Sequence, residues 1–296
     1  MNITAELVKE LRDKTGVGMM DCKKALMEAE GDVELATEIL RKKGIAVAAK
    51  RAGLEANFGV IQSYLNKTAT GMTGALVKVT CETDFSANTD DMRNFSSNVA
   101  HALATADKFF DAKEVMQHLN SPAGTPLQKD LDVMISRIAE NIQVKDVARF
   151  EVGHTGVVNT YIHPGSAVGT MVELSCEKAL DKAGADALLV LAKDICMHAA
   201  VMNPVSIDSS SIDPVIAAKE KDVYMEQLRT TGKPEAMLEK IVEGKMRKFY
   251  EDVCLMNQKF IKDDKKTVEQ YMEEVAKSVG CGTIKVAKMS RFSVGR

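Results

Sequence analysis

The sequence contains no tryptophan, and aromatic residues account for only 5% of its 296 residues. Its apolar surface must therefore come from aliphatic residues and from 17 methionines, whose flexible side chains suit irregular cores and adaptable binding surfaces. No window approaches the roughly 18 unbroken apolar residues of a membrane-spanning helix, and the N-terminus lacks the pattern of a signal peptide. We expect a globular, cytoplasmic protein without membrane contact.

The sequence also lacks the features of several functional classes. A net charge of −3 gives no basic surface of the kind that follows a nucleic-acid backbone, so we expect no direct nucleic-acid partner. The six cysteines show neither a C-x-x-C pair nor metal-ligand spacing, which argues against disulfides and a metal site. Walker loops, dinucleotide fingerprints, H-E-x-x-H motifs and nucleophile elbows are absent. We therefore expect no cofactor and no enzymatic activity.

The first part of the chain predicts a module of three short helices. Thr4 is a suitable N-cap for the first helix, and Gly16 suits the left-handed position at its end. The second helix is expected over Met19–Ala29, and Asp32 is a good N-cap for the third. Basic residues cluster at 41–43 and again at Lys50 and Arg51, before Gly53 opens a linker, and we expect a solvated helix end and a hinge there.

The central part of the chain repeats itself. Gly59–Tyr64 is echoed by Gly156–Tyr161, and Gly74–Glu82 is echoed by Gly169–Glu177, with an offset of 95 to 97 residues. Each copy alternates apolar and polar positions, is rich in β-branched residues, and leads into a helical pattern. The repeat predicts an α+β fold with a duplicated core, in which small antiparallel sheets pack one face on helices.

The second copy is interrupted by a long helical segment. Pro214 fits the first turn of one helix, Thr231–Pro234 is typical of a turn, and apolar residues recur at four-residue steps from Met237 to Tyr250. This narrow apolar seam predicts an inserted antiparallel helical hairpin of the coiled-coil type. We expect four parts: the three-helix module at 1–54, a first core unit at 55–145, a second at 146–204 with 254–296, and the hairpin at 205–253.

The two copies differ directly after a shared Cys-Glu pair. The first continues with Thr83-Asp84-Phe85-Ser86, whereas the second continues with Lys178-Ala179-Leu180-Asp181. A large apolar ring beside an acid is thereby placed at a turn between a strand and a helix. The residues alone leave two alternatives for Phe85, namely a ring folded back into the core or a ring exposed for binding.

Three segments, in order along the chain, resemble signatures of the elongation factor Ts family. They are Thr15–Leu26, Cys81–Phe85, and Gly232–Pro234 taken with Ile241–Met246. The resemblance implies a translation elongation factor that binds elongation factor Tu in its GDP-bound and nucleotide-free forms. It further implies that the factor promotes release of GDP, so that Tu can reload with GTP, and that the N-terminal module is UBA-like.

The same resemblance implies the residues of the site. Phe85 would enter an apolar crevice of Tu, and Asp84 would help to displace the magnesium that bridges the GDP phosphates, with Thr83 and Ser86 shaping the turn. Further contacts with Tu are implied for Met19, Met20, Lys24 and His163. Pro164 follows His163 at a position where the family often has glycine.

Two other functions compete with nucleotide exchange. Gly16-Val17-Gly18-Met19 after a first helix also resembles ubiquitin-associated adaptors, although a duplicated core argues against a simple adaptor. An enzyme could use His101 and His198, but no carboxylate or thiol recurs at ligand spacing, which favours packing histidines. The sequence leaves open whether the complex with Tu is one-to-one or a dimer of such pairs.

Overall fold

The computed structural model describes residues 3–51, 53–229 and 235–295. The helices of this part are α1 (Ala5–Thr15), α2 (Met19–Glu28), α3 (Val33–Arg51), α4 (Asp84–Ala87), α5 (Asp90–Thr105), α6 (Ala112–His118), α7 (Leu127–Ile138), α8 (Lys182–Met202), α9 (Pro214–Arg229), α10 (Glu235–Val253) and α11 (Val268–Val279). Its strands are β1 (Phe58–Thr68), β2 (Gly71–Cys81), β3 (Gln143–Val152), β4 (Gly156–Ile162), β5 (Val168–Cys176), β6 (Lys259–Phe260), β7 (Asp263–Thr267) and β8 (Ile284–Ser293). The predicted α+β class is confirmed.

Helices α1 to α3 form the N-terminal module around a small apolar core of its own. Thr4 caps α1 by accepting a hydrogen bond from the amide of Leu7 (3.3 Å), and Gly16 ends it with a φ of 68°. Asp32 accepts from the amides of Glu34 and Leu35 at the start of α3. Helix α3 is longer than the short helix that the sequence predicts, because it continues without a break through Arg51 and is 19 residues long, with Lys50 and Arg51 in its last turn.

The long third helix carries the module onto the rest of the protein. It crosses α7 where Gly44 faces Ser136, so closely that a Cβ at Gly44 would also lie 3.1 Å from the carbonyl oxygen of Asp132. Ser136 already donates to that carbonyl (2.8 Å), so the partner helix has little room to yield. Glycine at this crossing therefore lets the two helix backbones approach each other.

The two copies of the repeat form two equivalent units. In the first, β1, β2 and β3 make an antiparallel sheet; in the second, β4, β5 and β8 do so in the same order. Helices α5 to α7 cover one face of the first sheet, and α8 and α11 cover the second. The register shifts at equivalent positions, after Lys78 in β2 and after Glu173 in β5, so the two sheets share a β-bulge.

Strand β3, the third strand of the first unit, crosses the boundary that the sequence predicts between the two core units. A boundary between residues 145 and 146 would cut β3, which pairs with β2 from Gln143 to Val152. We therefore propose that the first unit extends to Val152 and that the second begins with the loop before β4.

The units meet through their sheets in a reciprocal manner. A Cβ at Gly74 would lie 2.6 Å from Cγ1 of Val158, and a Cβ at Gly169 would lie 2.5 Å from Cγ2 of Ile61. In the repeat, Gly74 corresponds to Gly169 and Ile61 to Val158, so each unit packs an equivalent β-branched side chain against the equivalent glycine of the other. A hydrogen bond between the equivalent hydroxyls of Ser63 and Thr160 (2.9 Å) completes this internal two-fold contact.

The inserted hairpin consists of α9 and α10, which pack together through a narrow apolar seam. Four side chains are buried along it: Leu228, Leu238, Val242 and Met246. The predicted turn at Thr231–Pro234 lies outside the described residues. Among the helices of the described part, none is long and apolar enough to cross a membrane.

Candidate functional site: an exposed aromatic turn

The turn after the first Cys-Glu pair forms the four-residue helix α4. Thr83 caps it by accepting a hydrogen bond from the amide of Ser86 (3.2 Å). The side chain of Phe85 is 82% exposed, so the ring points into solvent and not into the core. Phe85 is the most exposed large apolar side chain in the described part of the chain, and it stands beside the exposed acid Asp84.

The carboxylate of Glu140 holds this turn from behind. Its Oε1 accepts hydrogen bonds from the hydroxyls of Thr83 (2.7 Å) and Ser86 (2.6 Å). Its Oε2 accepts from the amides of Glu82 and Thr83, both at 3.1 Å. Hydrogen bonds to an ionised acceptor are stronger than neutral ones, so one side chain fixes the backbone and both hydroxyls of the turn.

Sequence reasoning did not find Glu140, which lies more than 50 residues from the turn that it binds. Ala139 ends α7 in the left-handed conformation (φ 58°), which turns the chain so that Glu140 lies beside the end of β2. Alanine at a left-handed position gives no recognisable signal in a sequence. Only the packing of α7 against the first sheet could reveal this residue.

Glu82 forms a second ionic link behind the turn. Its carboxylate accepts two hydrogen bonds from the guanidinium of Arg51 (2.8 and 2.7 Å) and one from the amide of Asn141 (2.5 Å). These contacts, above all the guanidinium, lower the pKa of Glu82 to about 2, and the same pairing raises the pKa of Arg51. Glu82 is therefore ionised at neutral pH and joins the end of α3 to the turn.

Cys81 contributes to the turn as a neutral thiol. Its Sγ donates to the carbonyl oxygen of Thr83 (3.2 Å), and burial raises the pKa of the thiol to about 12. By contrast, the carboxylate of Asp84 has no hydrogen-bond or ion-pair partner within the described part of the chain. The backbone of the turn is thus well held, while its two outward side chains, Asp84 and Phe85, face solvent.

The predicted contact residues of the N-terminal module lie on the surface of α2. Met19 is 43% exposed, Met20 is 66% exposed, and Lys24 is exposed as well. The loop before α2 lies against α7, since a Cβ at Gly16 would be 2.6 Å from Cζ of Arg137. The end of α7 therefore supports both the module and, through Glu140, the aromatic turn.

His163 lies in the exposed loop between β4 and β5. Its Nδ1 is 3.2 Å from the hydroxyl of Tyr161, and the two rings meet edge to face. The loop is fixed against the first unit, because the amide of Ile61 in β1 donates to the carbonyl oxygen of Ser166 (2.8 Å). Strand β1 also contacts α4, so it connects the support of His163 with that of the turn.

The two repeated histidines have structural partners. His198 is buried, its Nε2 is 2.9 Å from Oε1 of Gln258, and its Nδ1 accepts a hydrogen bond from the amide of Ile261 (3.3 Å). Burial lowers the pKa of His198, which favours the neutral ring. His101 packs edge to face on Tyr64, with ring centroids 4.5 Å apart. Within the described residues, no cluster of three or more potential ligands could hold a metal ion.

Comparison with known proteins agrees with this architecture. The family described as Elongation factor TS matches residues 82–296. Proteins named Elongation factor Ts from Clostridium novyi (strain NT) and Clostridium perfringens (strain SM101 / Type A) are each 39% identical, over 99% of this chain and 93% of their own length. The protein of that name from Trichlorobacter lovleyi is 38% identical over 100% of this chain and 93% of its own length. The chain therefore belongs to the elongation factor Ts family of translation elongation factors.

Proposed function

We propose that this protein binds elongation factor Tu carrying GDP and promotes release of the nucleotide, so that Tu can reload with GTP. The observation that carries the proposal is the exposed ring of Phe85 on a turn that Glu140 and Glu82 hold in place. Family membership supports the choice of partner, and the geometry of the turn supports its role as the part of the protein that acts on Tu.

The exposed ring suits the role of a wedge. Transfer of a phenylalanine side chain from water into an apolar crevice contributes about 1.5–3 kcal/mol. Because the turn is already ordered, little of this free energy is lost in fixing the ring upon binding. Phe85 therefore acts as an anchor between elements of Tu that would otherwise stay packed together.

The neighbouring carboxylate suits the displacement of magnesium. Mg²⁺ holds GDP by bridging its phosphates and neutralising their charge, and it takes oxygen ligands. Asp84 carries a negative charge without a partner in the described part of the chain and stands beside the ring that enters Tu. In this proposal Asp84 disturbs the magnesium site while Phe85 opens the crevice, with Thr83 and Ser86 holding the turn.

A wider surface supplies the affinity. Met19, Met20 and Lys24 dock the N-terminal module on the nucleotide-binding domain of Tu, where flexible methionines adapt to the partner. His163, on a loop fixed to β1, reaches toward the phosphate-binding loop of Tu. These contacts favour nucleotide-free Tu. Bound GDP therefore lowers the affinity of Tu for this protein by the same factor by which this protein lowers the affinity of Tu for GDP.

No catalytic chemistry is needed for this activity. The factor acts through its preference for one state of Tu and makes or breaks no covalent bond. It works in the cytoplasm without cofactor, metal, membrane or direct nucleic-acid contact. The complex is either one-to-one or a dimer of such pairs, and light scattering of the complex with nucleotide-free Tu distinguishes the two.

Release of a fluorescent GDP analogue from purified bacterial elongation factor Tu tests the proposal. We expect the wild-type protein to accelerate release and Phe85→Ala to reduce the acceleration by roughly tenfold or more, as for an interface anchor. The matched control is Phe109→Ala, because Phe109 is also exposed (53%) in the first unit but lies outside the turn. The control should behave as the wild type.

Each negative result has a separate meaning. If the wild type accelerates release from no bacterial Tu, the exchange function is rejected and the adaptor interpretation returns. If acceleration is undiminished in Phe85→Ala, exchange stands but the wedge is rejected, and the N-terminal module and His163 must then carry the effect.

A further inference from the structure

We propose that Glu140 is a positioning residue for nucleotide exchange, which holds the Asp84–Phe85 turn in the conformation that enters the partner. The inference rests on the proposed function and deepens it. It assigns the preorganisation of the turn to one side chain from a distant loop and connects that side chain to the N-terminal module through Glu82 and Arg51.

The turn cannot maintain its own shape. Helix α4 has only four residues, which is too short for a helix to persist in water without outside contacts. Its N-cap hydrogen bond, from the amide of Ser86 to Thr83, is a modest 3.2 Å. The contacts of Glu140 are at least as short, engage two amides and two hydroxyls, and involve an ionised acceptor. Glu140 is therefore the principal restraint on the turn.

Glu82 and Glu140 form a reciprocal clasp, a pair in which each carboxylate accepts from the backbone of the other segment. The carboxylate of Glu140 accepts from the amide of Glu82, and the carboxylate of Glu82 accepts from the amide of Asn141, the residue after Glu140. The end of β2 and the loop after α7 are thus fastened at both sides. Loss of either carboxylate leaves one half of the clasp.

The clasp also connects the turn to the module that docks on Tu. Arg51, the last residue of α3, forms two hydrogen bonds with Glu82, and its positive charge also acts on Glu140. The side-chain amide of Asn141 donates to the carbonyl oxygen of Leu54, in the segment that follows α3 (2.8 Å). The position of the wedge is therefore fixed relative to the module, so that both surfaces meet Tu together.

A double-mutant cycle with Phe85→Ala distinguishes positioning from general stability. Glu140→Gln keeps the size and one acceptor of the side chain but removes the charge. We expect Glu140→Gln to reduce the acceleration of GDP release about three- to tenfold when Phe85 is present. When Phe85 is already alanine, we expect no further reduction, because a positioning residue has then lost the side chain that it positions.

The matched control is Asp194→Asn in the second unit. Asp194 is also a largely buried carboxylate with short contacts, to Nζ of Lys262 (2.6 Å) and to the hydroxyl of Tyr271 (3.1 Å), but it lies far along the chain from the turn. It should leave the acceleration unchanged in both backgrounds. If Glu140→Gln reduces acceleration by the same factor with and without Phe85, or has no effect with Phe85 present, the inference is overturned.

Amide hydrogen exchange gives a readout that needs no partner. In Glu140→Gln we expect the protection factors of the amides of Glu82 and Thr83 to fall at least tenfold, while those of the amides of β5 and β8 stay unchanged. Unchanged protection at Glu82 and Thr83 overturns the inference whatever the exchange assay shows. If the wild type fails to release GDP from Tu, the proposed function is lost, and hydrogen exchange still decides whether Glu140 holds the turn.

Discussion

The two core units share an architecture but differ in the segment after their second strand. In both, a hairpin, a long helix and a third antiparallel strand form the unit, and in both the second strand ends at a cysteine that is followed by a glutamate. After this pair the first unit presents the exposed ring of Phe85, whereas the half-buried Leu180 of the second unit packs on its own core. The repeat thus supplies a scaffold twice, and only the first copy carries an exposed aromatic turn after its second strand.

The equivalence extends to the third strands, which lie outside the repeat that is visible in the sequence. Arg149 in β3 donates to the carbonyl oxygen of Ala106 at the end of α5 (2.8 Å), and Arg291 in β8 donates to that of Ala200 near the end of α8 (3.2 Å). In each unit an arginine of the outer strand therefore fastens the covering helix to the sheet. The units are related by structure over a longer stretch than their sequences reveal.

The largest expected effects come from the glycines at which the units meet. Gly74→Ala and Gly169→Ala each place a methyl group about 2.5 Å from a buried carbon of the opposite unit. We expect each substitution to lower the free energy of unfolding by about 1–3 kcal/mol, the usual effect of overpacking. Chemical denaturation measures this, and similar losses for the two variants would support the reciprocal contact.

A compensating substitution sharpens this test. Val158→Ala removes the methyl group that the new side chain of Gly74→Ala would meet, so the double variant should be more stable than the sum of the single effects predicts. If the effects of Gly74→Ala and Val158→Ala are additive, the close contact between the units is not the source of the loss.

The two glutamates of the Cys-Glu pairs should differ next in their effect on stability. Glu82 has its pKa lowered to about 2 by Arg51 and Asn141, whereas Glu177 is exposed. We expect Glu82→Gln to lower the midpoint of thermal unfolding by about 2–4 °C at pH 7, and Glu177→Gln to change it little. Thermal unfolding followed by circular dichroism measures both.

The pH dependence of this difference has a defined sign. Because the folded pKa of Glu82 lies below the unfolded value of 4.5, its contribution to stability is complete above pH 4.5 and is lost as pH falls from 4.5 to 2. The gap between wild type and Glu82→Gln should therefore be constant from pH 7 to 5 and shrink at lower pH. A gap that widens on acidification would contradict the ionic link to Arg51.

The fold was largely predictable from the sequence because its signals are local or repeated. Caps such as Thr4 and Asp32 marked helix starts correctly, and the duplicated alternating segments indicated two equivalent sheets. Helix α3 is longer than predicted because basic residues are compatible with a solvated helix, and contacts with α7 extend it to Arg51. Tertiary packing decided that boundary.

The geometry of the candidate site was predictable only in part. The divergence at Thr83–Ser86 identified the turn, but the residues left the direction of Phe85 open, and the geometry places it outward. Glu140 and Arg51 could not be assigned, because their partners are 54 to 58 and 31 residues away and no local pattern links them. Residues that hold the turn from distant segments of the chain can be identified only when the fold is known.

A comparable effect is expected where the two units use charges of opposite order. Lys78 pairs with Asp146 at the bulge of the first sheet, and Glu173 pairs with Lys288 (3.0 Å) at the equivalent place in the second. Charge reversal by Glu173→Lys should lower the free energy of unfolding by about 1–2 kcal/mol, since two ammonium groups then meet at a partly buried site.

The double reversal Glu173→Lys with Lys288→Glu copies the charge order of the first unit. It should recover part of this loss but not all, because Lys288 also lies over the ring of Phe150, with Nζ 5.6 Å from the centroid. Urea denaturation of the wild type, the two single variants and the double variant gives the coupling free energy between positions 173 and 288. Complete recovery would show that the contact with Phe150 contributes nothing, and no recovery would show that the two sites are not equivalent.

The smallest effect concerns the two histidines that occupy equivalent helices. Burial lowers the pKa of His198 below its ordinary value of 6.5, so the unfolded chain takes up a proton at a higher pH than the folded protein. Stability from the neutral ring is therefore complete above pH 6.5 and declines as pH falls below it, with a slope of at most ~1.4 kcal/mol per pH unit for one proton. His198→Gln should remove this slope while keeping an amide that can bond Gln258, and His101→Gln should retain it. Denaturant unfolding at pH 7.5, 6.5 and 5.5 compares the three proteins, and an unchanged slope in His198→Gln would assign the pH dependence to another group.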